Sequence, residues 1–310
     1  MSLLALIAAL LLEQVVPLSS RQFLYEWVPA YVKFFRERFD AGERSHGRIA
    51  WLLAVLPPLA LVWLLYAVLL AKHSVFAWAF SVLVLYLSMG FRQFSHYFTD
   101  IHQALRDNDL TLARELLSEW TGKSCNDLNP EEVARFTIEQ ALLASHRHVF
   151  GVVFWFVIFM LLGLGPLGAV LYRLAAFIAV QWRGDDEETS VFGTFAQQAC
   201  RVLEWLPLRL TAGSFAIVGN FEDTIFCWRT QAAEWPVPDQ GILLASGAGA
   251  LGIKLGETLV LDDQPVYRPE LGSGDAVDID HLQSAVGLVW RTLVFQLIIL
   301  MMLTVANLLG

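Results

Sequence analysis

Two long apolar runs constrain this chain more than any other feature. Residues 49–70 are almost wholly apolar, and residues 286–309 form a second run of similar length. A helix rises about 1.5 Å per residue, so about twenty such residues cross roughly 30 Å of bilayer hydrocarbon. Only 16% of the 310 residues are charged, whereas about a quarter is usual in soluble domains. The sequence therefore predicts an integral membrane protein.

The first half of the chain predicts helices in and beside the membrane. Residues 1–90 are predicted as an N-terminal membrane region, with a short first helix, an interfacial segment rich in aromatic and basic residues, and a helical hairpin over 49–90. Residues 91–148 show helix-capping and amphipathic patterns. We therefore expect an all-α, polytopic membrane protein with several transmembrane helices, interfacial helices and a helical cytoplasmic insertion over 91–148.

The second half of the chain is less regular. Residues 149–219 are too long for one crossing and are interrupted between Gly163 and Pro166, which predicts broken membrane segments. Broken backbone is not tolerated against lipid, so we expect the break to face the protein interior. Residues 220–285 are polar and glycine-rich and are predicted as a loop region, and residues 286–310 as a C-terminal transmembrane helix.

Basic residues in short loops predict the orientation of the chain. They are concentrated in residues 18–48 and 91–148, which places both segments in the cytoplasm. We expect a multi-pass protein of the bacterial inner (cytoplasmic) membrane, with membrane lipids as partners. The number of crossings within 149–219, the side on which 220–285 lies and the oligomeric state stay open.

Charge and cysteine content exclude several classes of function. The formal charge of −9 and the lack of a dense basic cluster argue against nucleic-acid binding. Cys125, Cys200 and Cys227 are far apart and show no paired spacing, so neither a zinc site nor a disulfide framework is indicated. No metal site is predicted from these residues.

Several motifs suggest binding without specifying a reaction. The run His146-Arg147-His148 has two interpretations. It either binds a phosphate or lipid headgroup, or its side chains simply lie at the membrane interface. Arg209 lies in an apolar segment, where arginine marks a paired or functional position or reaches out to headgroups. The glycine-rich stretch 241–256 contains Lys254 but lacks the phosphate-loop spacing, which leaves a flexible substrate loop open.

Six short strings follow one another along the chain: ARELLSEW from Ala113, IEQ from Ile138, YRLAAF from Tyr172, LEWLPLRLTA from Leu203, GALGIKLGE from Gly249 and VYRPELGSG from Val266. Together and in this order they resemble the CobD/CbiB cobalamin-biosynthesis proteins, from about residue 90 to the C-terminus. The resemblance implies an enzyme that uses ATP and magnesium to join an aminopropanol arm, or its phosphate, to adenosylcobyric acid through an amide bond.

The chain departs from the family pattern where the resemblance implies magnesium and phosphate ligands. Glu139, Arg173, Pro207 and Arg209 match the pattern. Most positions where the family has acids or amides hold residues that do not bind magnesium, so the resemblance implies a degenerate catalytic site. Those positions are occupied here by Leu143, Ala144, Arg147, His148, Ala176, Ala179, Cys200 and Arg201.

A second resemblance suggests a role other than synthesis. The early LLLEQ run from Leu10 and the WLPLRL stretch from Trp205 are similar to AmpE, a membrane protein associated with β-lactamase induction. We therefore expect an AmpE-like regulatory or ligand-binding membrane protein. The alternative is an active ATP-dependent adenosylcobinamide-phosphate synthase, with ATP and magnesium as its only implied cofactors. The residues expected to bind a phosphorylated or anionic ligand are Glu139, Arg147, His148, Arg173 and Arg209.

Overall fold

The computed structural model describes residues 2–15, 22–40, 44–183 and 191–309, and these residues are nearly all helical. The all-α fold class is therefore confirmed. The chain divides into two compact units rather than into consecutive segments. The first unit comprises Met1–Gly90 and Arg147–Leu206, and the second comprises Phe91–His146 and Pro207–Gly310.

The described elements follow one another along the chain with short connections. A π-helical turn, His146–Phe150, joins α7 to α8. The α-helices are α1 (Ser2–Val15), α2 (Gln22–Phe39), α3 (Arg44–Lys72), α4 (Ser74–Ser88), α5 (Phe91–Arg106), α6 (Leu110–Thr121), α7 (Pro130–Ser145), α8 (Gly151–Leu161), α9 (Leu167–Gln181), α10 (Thr194–Val218), α11 (Phe221–Thr230), α12 (Pro238–Leu251) and α13 (Asp280–Leu309). The strands are β1 (Leu255–Gly256), β2 (Leu259–Leu261), β3 (Gln264–Val266) and β4 (Glu270–Leu271).

Three helical stretches among the described residues are long and apolar enough to cross a membrane. They are Ser45–Lys72, Pro130–Leu161 and Asp280–Ala306. The first contains the apolar run 49–70, and the third contains most of the run 286–309. The second joins α7, the π-helical turn and α8, so the boundary expected at residue 148 falls inside one continuous helical stretch.

In the first unit, α2 packs against α3 and the end of α9. Val32 of α2 is buried in a cluster with Ala54 of α3 and Trp182, which follows α9. The Trp182 indole N–H donates to the backbone carbonyl of Val32 at 3.2 Å. This contact fixes the end of α9 against the middle of α2.

The turn between α8 and α9 contains the predicted break. Gly163 and Gly165 adopt φ values of +74° and +69°, a left-handed conformation that glycine adopts without strain. Leu162 is 65% exposed, whereas Gly165 and Pro166 are buried. The second half of the break is therefore buried, as expected, whereas its first half is exposed.

In the second unit, residues 220–285 are not the loop region expected from their composition. They contain α11, α12 and all four strands, and α12 is buried along most of its length. Glycine disfavours an isolated helix, but here it permits close packing. An added Cβ at Gly247 would lie 2.5 Å from Leu142, and one at Gly249 would lie 2.6 Å from the carbonyl of Asp223. Tertiary contact therefore outweighs helix propensity.

The four strands form two antiparallel pairs, one nested within the other along the chain. β1 pairs with β4, and β2 pairs with β3. Asp262 and Asp263, at the β2–β3 turn, have φ values of +54° and +59°. The Asp262 carboxylate accepts the backbone N–H of Ser124 at 2.7 Å, which ties this hairpin to the α6–α7 connection.

Candidate functional site

Glu139 is buried in α7 with both carboxylate oxygens engaged. Its side chain is 1% exposed and forms an ion pair with Arg268. Arg268 Nη1 donates to Oε2, and the Gly256 backbone N–H donates to Oε1 at 2.8 Å. A buried carboxylate is costly unless it is paired and hydrogen-bonded. Glu139, Arg268 and Gly256 form what we term the Glu139 centre.

Arg268 is held by more than its ion pair. Nη2 donates to the Gly256 carbonyl and Nε donates to the Glu257 carbonyl, both at 3.1 Å. The guanidinium carbon lies 5.5 Å from the Phe136 ring centroid and 5.4 Å from that of Trp235. These contacts give the guanidinium one defined orientation, since its planar fork matches three separate acceptors.

The backbone around Gly256 explains how the centre is formed. Gly256 and Glu257 have φ values of +84° and +61°, and an added Cβ at Gly256 would lie 2.0 Å from the Pro269 carbonyl. The Glu257 carboxylate pairs with Arg135, which lies four residues before Glu139 and so on the same face of α7. One face of α7 thus presents a cation and an anion to this turn.

Lys254 lies beside the Glu139 centre and has its own partner. Its ammonium is 2.9 Å from the Glu270 carboxylate, and both side chains are about half exposed. The hydrogen bond from Lys254 to Glu270 raises the pKa of Lys254. The lysine of the glycine-rich stretch therefore pairs with a strand residue, and that stretch is mostly helix α12 rather than a flexible loop.

Three of the strings that carry the family resemblance meet at this centre. IEQ supplies Glu139, GALGIKLGE supplies Gly256, and VYRPELGSG supplies Arg268. Sequence reasoning named Glu139 and missed Arg268, which lies 129 residues away along the chain. A signal was present, because Arg268 stands inside one of the six strings, but no periodic pattern marks it as buried.

The residues of this centre do not fit the magnesium ion that the resemblance implies. Magnesium takes oxygen ligands in near-octahedral geometry, and both Glu139 oxygens already face a guanidinium or an N–H group. A divalent cation bound there would lie beside the Arg268 cation. Among the residues described, no group of three or more His, Cys, Asp or Glu side chains is placed to hold a metal.

Arg147, His148 and Arg173 belong to the first unit. Arg147 and His148 lie in the π-helical turn, a wide turn that recurs at functional sites. The His148 carbonyl accepts the backbone N–H of Gly90 at 3.3 Å. Arg147 and Arg173 are both half-buried, and both act electrostatically on the hydroxyl of Tyr172.

Tyr172 is the buried centre of this second group. Its side chain is 0% exposed, and an added Cβ at Gly151 would lie 2.4 Å from its hydroxyl oxygen. That hydroxyl lies 3.5 Å from Oε1 of Glu204. Sequence reasoning did not single out Tyr172 or Glu204, although both lie in the family-like strings. The Tyr172 cluster consists of Tyr172, Arg147, Arg173, Cys200 and Glu204.

Arg209 lies in α10 and is half-buried. It belongs to the second unit, whereas Arg173 belongs to the first, so the expectation that both arginines bind the same ligand stays a prediction. The proline in the same string has a local consequence. Pro207 has no N–H to donate to the Leu203 carbonyl, and the Trp155 indole N–H donates to that carbonyl at 3.0 Å instead.

Two further features of the structure are the His96–Asp100 pair and the buried cysteines. His96 and Asp100 form an i, i+4 pair, with Nδ1 2.6 Å from Oδ2. The three cysteines are buried and form no disulfide, and burial raises the pKa of the Cys125 and Cys227 thiols. These two thiols are therefore held in the neutral form.

Comparison with known proteins gives one consistent relationship. The family model described as "CobD/Cbib protein" matches residues 5–289. The "Cobalamin biosynthesis protein CobD" of Stutzerimonas stutzeri is 35% identical over 260 residues, covering 84% of this chain and 82% of that protein.

Two further relatives extend the match. The protein of the same name from Chromobacterium violaceum is 37% identical over 235 residues, with 73% of this chain and 74% of the relative covered. The "Cobalamin biosynthesis protein CbiB" of Salmonella typhimurium is 23% identical over 288 residues, with 88% of each chain covered. No solved structure matches this chain.

Proposed function

Since this chain belongs to the CobD/CbiB protein family, we propose that it is a multi-pass protein of the bacterial inner membrane with a degenerate synthase site. In this proposal the protein binds a phosphorylated or anionic ligand and has an AmpE-like regulatory role. The three stretches able to cross a membrane support the location. The proposal that synthase chemistry is lost rests on Glu139, the retained acid, which is already paired with Arg268.

Glu139 is the acid that matches the family pattern, and its carboxylate already neutralises a buried cation of the same protein. Arg268 and the Gly256 N–H engage both of its oxygens. A carboxylate that neutralises a buried guanidinium is a poor ligand for magnesium, because the metal would displace or repel that cation. Alanine, leucine and cysteine at other family ligand positions, including Ala176 and Cys200, support the same conclusion.

The Tyr172 cluster supports the proposal of an anion site. Its five side chains include the cations Arg147 and Arg173 and one carboxylate, Glu204. Arginine binds phosphate and carboxylate through charge-assisted hydrogen bonds, and cations within apolar helices are costly unless they pair or serve function. We assign the ligand to Arg147 and Arg173, with the wider set of Glu139, His148 and Arg209 kept as predicted contributors.

Complementation tests the loss of synthase chemistry. A strain that lacks its own CobD/CbiB protein would express this chain under cobalamin-dependent growth, and the same strain expressing the Stutzerimonas stutzeri relative would serve as the positive control. We expect no growth, although immunoblotting of membrane fractions detects the protein. Growth equal to that of cells expressing the relative would overturn the degenerate-site proposal.

Ligand binding tests the anion site separately. ATP and inorganic pyrophosphate would be titrated against the purified protein in detergent, with Arg147→Gln, Arg173→Gln and the exposed control Lys72→Gln. We expect each arginine variant to weaken binding by about tenfold, the effect of one charge-assisted hydrogen bond, and the control to match wild type. Unchanged binding in both arginine variants would contradict the assignment.

The second candidate function is an active adenosylcobinamide-phosphate synthase that uses ATP and magnesium. It is favoured by the names of the relatives that are 35% and 37% identical to this chain. The complementation experiment separates the two candidates. The neighbouring genes give a second test, since corrin-pathway genes favour the synthase and a muropeptide amidase gene favours the AmpE-like role.

A further inference from the structure

We propose that a pocket between α2 and the end of α9, in the first unit, binds the phosphoethanolamine headgroup of a membrane phospholipid. The pocket has a volume of about 460 Å³, which lies within the range of about 300–1,000 Å³ for small-molecule sites. It is distinct in position from the Tyr172 cluster and shares no residue with it. Its lining residues are Lys33, Arg36, Glu37, Asp40, Gln181 and Trp182.

The exposed side chains of α2 place this pocket at the depth of lipid headgroups. Trp27 and Phe34 lie seven residues apart on one face of α2 and are 63% and 57% exposed. Exposed aromatic rings beside long charged side chains are typical of a helix that lies in the membrane interface.

The ends of the neighbouring helices indicate the same depth. α9 is a shorter apolar helix that ends at Gln181, and a polar end of this kind suits the boundary between hydrocarbon and water. The stretch Ser45–Lys72, which follows α2, is long and apolar enough to cross the membrane. The pocket is therefore next to the start of a stretch that is able to cross the membrane and to the end of a shorter apolar helix.

The charges of the pocket match a zwitterion rather than an anion. Lys33, Arg36 and Glu37 lie at i, i+3 and i+4 and so on one face of α2, and Asp40 directly follows the end of that helix. Among the described lining residues these supply two cations and two carboxylates. A phosphoethanolamine headgroup carries a phosphate that complements the two cations and a primary ammonium that complements the two carboxylates.

Arg36 is already oriented for this role. Its Nη1 donates to the Gln181 carbonyl at 3.0 Å, which uses one of five guanidinium N–H groups. The carbonyl at the end of α9 thus holds the guanidinium at the pocket. Lys33 and Glu37 pair at 3.5 Å and are 72% and 66% exposed, so this surface ion pair is weak. A bound headgroup would replace it with one contact to Lys33 and one to Glu37.

The same charges predict which headgroups are rejected. The phosphate of phosphatidylglycerol would find Lys33 and Arg36 but would leave Glu37 and Asp40 without a cationic partner on the lipid. The quaternary ammonium of phosphatidylcholine has no N–H to donate to a carboxylate. Both lipids should therefore bind more weakly than phosphatidylethanolamine.

Native mass spectrometry of the full chain in detergent tests the proposal. Phosphatidylethanolamine, phosphatidylcholine and phosphatidylglycerol with identical acyl chains would be added separately to wild type, to the double variant Glu37→Gln/Asp40→Asn, and to Lys72→Gln. We expect wild type and Lys72→Gln to prefer phosphatidylethanolamine over phosphatidylcholine by about tenfold, the effect of one charge-assisted hydrogen bond. The double variant should lose that preference.

Two results of the lipid titrations would overturn the proposal. One is equal binding of the three lipids by wild type, a comparison that needs no variant to fold. The other is a preference that survives in the double variant. Soluble glycerophosphoethanolamine, titrated in parallel, distinguishes the source of the headgroup. It should bind more weakly than the lipid, whereas binding of the soluble compound without retention of the lipid would show a soluble ligand and exclude a phospholipid.

Discussion

Arg268 donates a hydrogen bond to Glu139 across 129 residues of sequence, and the two side chains are only 7% and 1% exposed. The contact joins the segment between β3 and β4 to helix α7. Because each charge is the partner of the other in a site with little access to water, neither can be removed alone without leaving a buried charge. The ion pair is therefore a structural connection within the second unit.

Replacement of Glu139 by glutamine should destabilise the protein strongly. Glutamine keeps the shape of the side chain but leaves the Arg268 guanidinium buried without its counter-ion, a loss of about 3–5 kcal/mol. Denaturant unfolding in detergent measures the change. The double variant Glu139→Gln/Arg268→Met, which removes both charges, should be more stable than Glu139→Gln. Wild-type stability of the single variant would show that the pair contributes little.

Replacement of Gly256 by alanine should also destabilise the second unit. The residue has a φ value of +84°, and the new Cβ would meet the Pro269 carbonyl at 2.0 Å. We expect a loss of more than about 1 kcal/mol, because alanine is strained at this backbone conformation. Gly213→Ala is the matched control, since nothing lies within 4 Å of its added Cβ. Equal unfolding midpoints for the two variants would contradict this explanation.

Trp155→Phe tests the hydrogen bond that replaces the N–H missing at Pro207. The variant keeps an aromatic ring but leaves the Leu203 carbonyl without the indole donor that lies 3.0 Å away. A fully buried unsatisfied carbonyl costs about 1–3 kcal/mol, and since this bond is only partly buried the loss should lie towards the lower end of that range. Thermal unfolding in detergent would measure it. Trp63→Phe, at a side chain that is 47% exposed, should have a smaller effect. If the two variants unfold at the same temperature, the Trp155 bond contributes nothing specific.

Acid should weaken the start of α13 through Asp278. Burial alone would raise the pKa of Asp278, but hydrogen bonds and charge from His281 and the backbone N–H of Asp280 together lower it. The contribution of Asp278 to stability is therefore present above the ordinary aspartate pKa of about 3.9 and is lost as the pH falls below it. Unfolding midpoints measured from about pH 6 to pH 3 should fall less steeply in Asp278→Asn than in wild type.

The matched control for the acid experiment is Asp275→Asn. Asp275 lies three residues earlier in the same connection, where its backbone N–H donates to the Gly252 carbonyl and its carbonyl accepts from Lys254. Asparagine keeps both of these backbone bonds, so the variant should keep the contact between Asp278 and His281 and the pH dependence that this contact produces. An identical slope in Asp278→Asn and wild type would show that His281 does not stabilise the ionised carboxylate.

Helices were predictable where a local pattern marks them. The apolar run within α3 predicts a long membrane helix, and Asn129-Pro130 with Glu132 predicts the start of α7, where the structure has a capping box. The interruption at Gly163 separates α8 from α9 because glycine there takes a left-handed conformation. Each of these features depends on neighbours within a few residues along the chain.

The buried arrangement of residues 220–285 was not predictable in the same way. The glycines of α12 indicate a loop by intrinsic propensity, yet Gly247 forms part of a helix because it packs closely on Leu142. Arg268 gave no sign of burial, because its partner Glu139 is in a distant helix. The polar surroundings of Tyr172 were likewise not predictable from the sequence, because its neighbours come from the π-helical turn, α9 and α10.

A helical membrane protein of the CobD/CbiB family can be identified from the amino-acid sequence alone, because apolar length, helix caps and ordered motif strings are properties of local sequence. Which retained residues are already paired depends instead on the tertiary structure. Whether Glu139 is available to a ligand depends on Arg268 and Gly256, which reach it only when distant segments fold together. Burial then makes the pairing decisive, because a charge removed from water must be neutralised by whatever group the fold brings beside it.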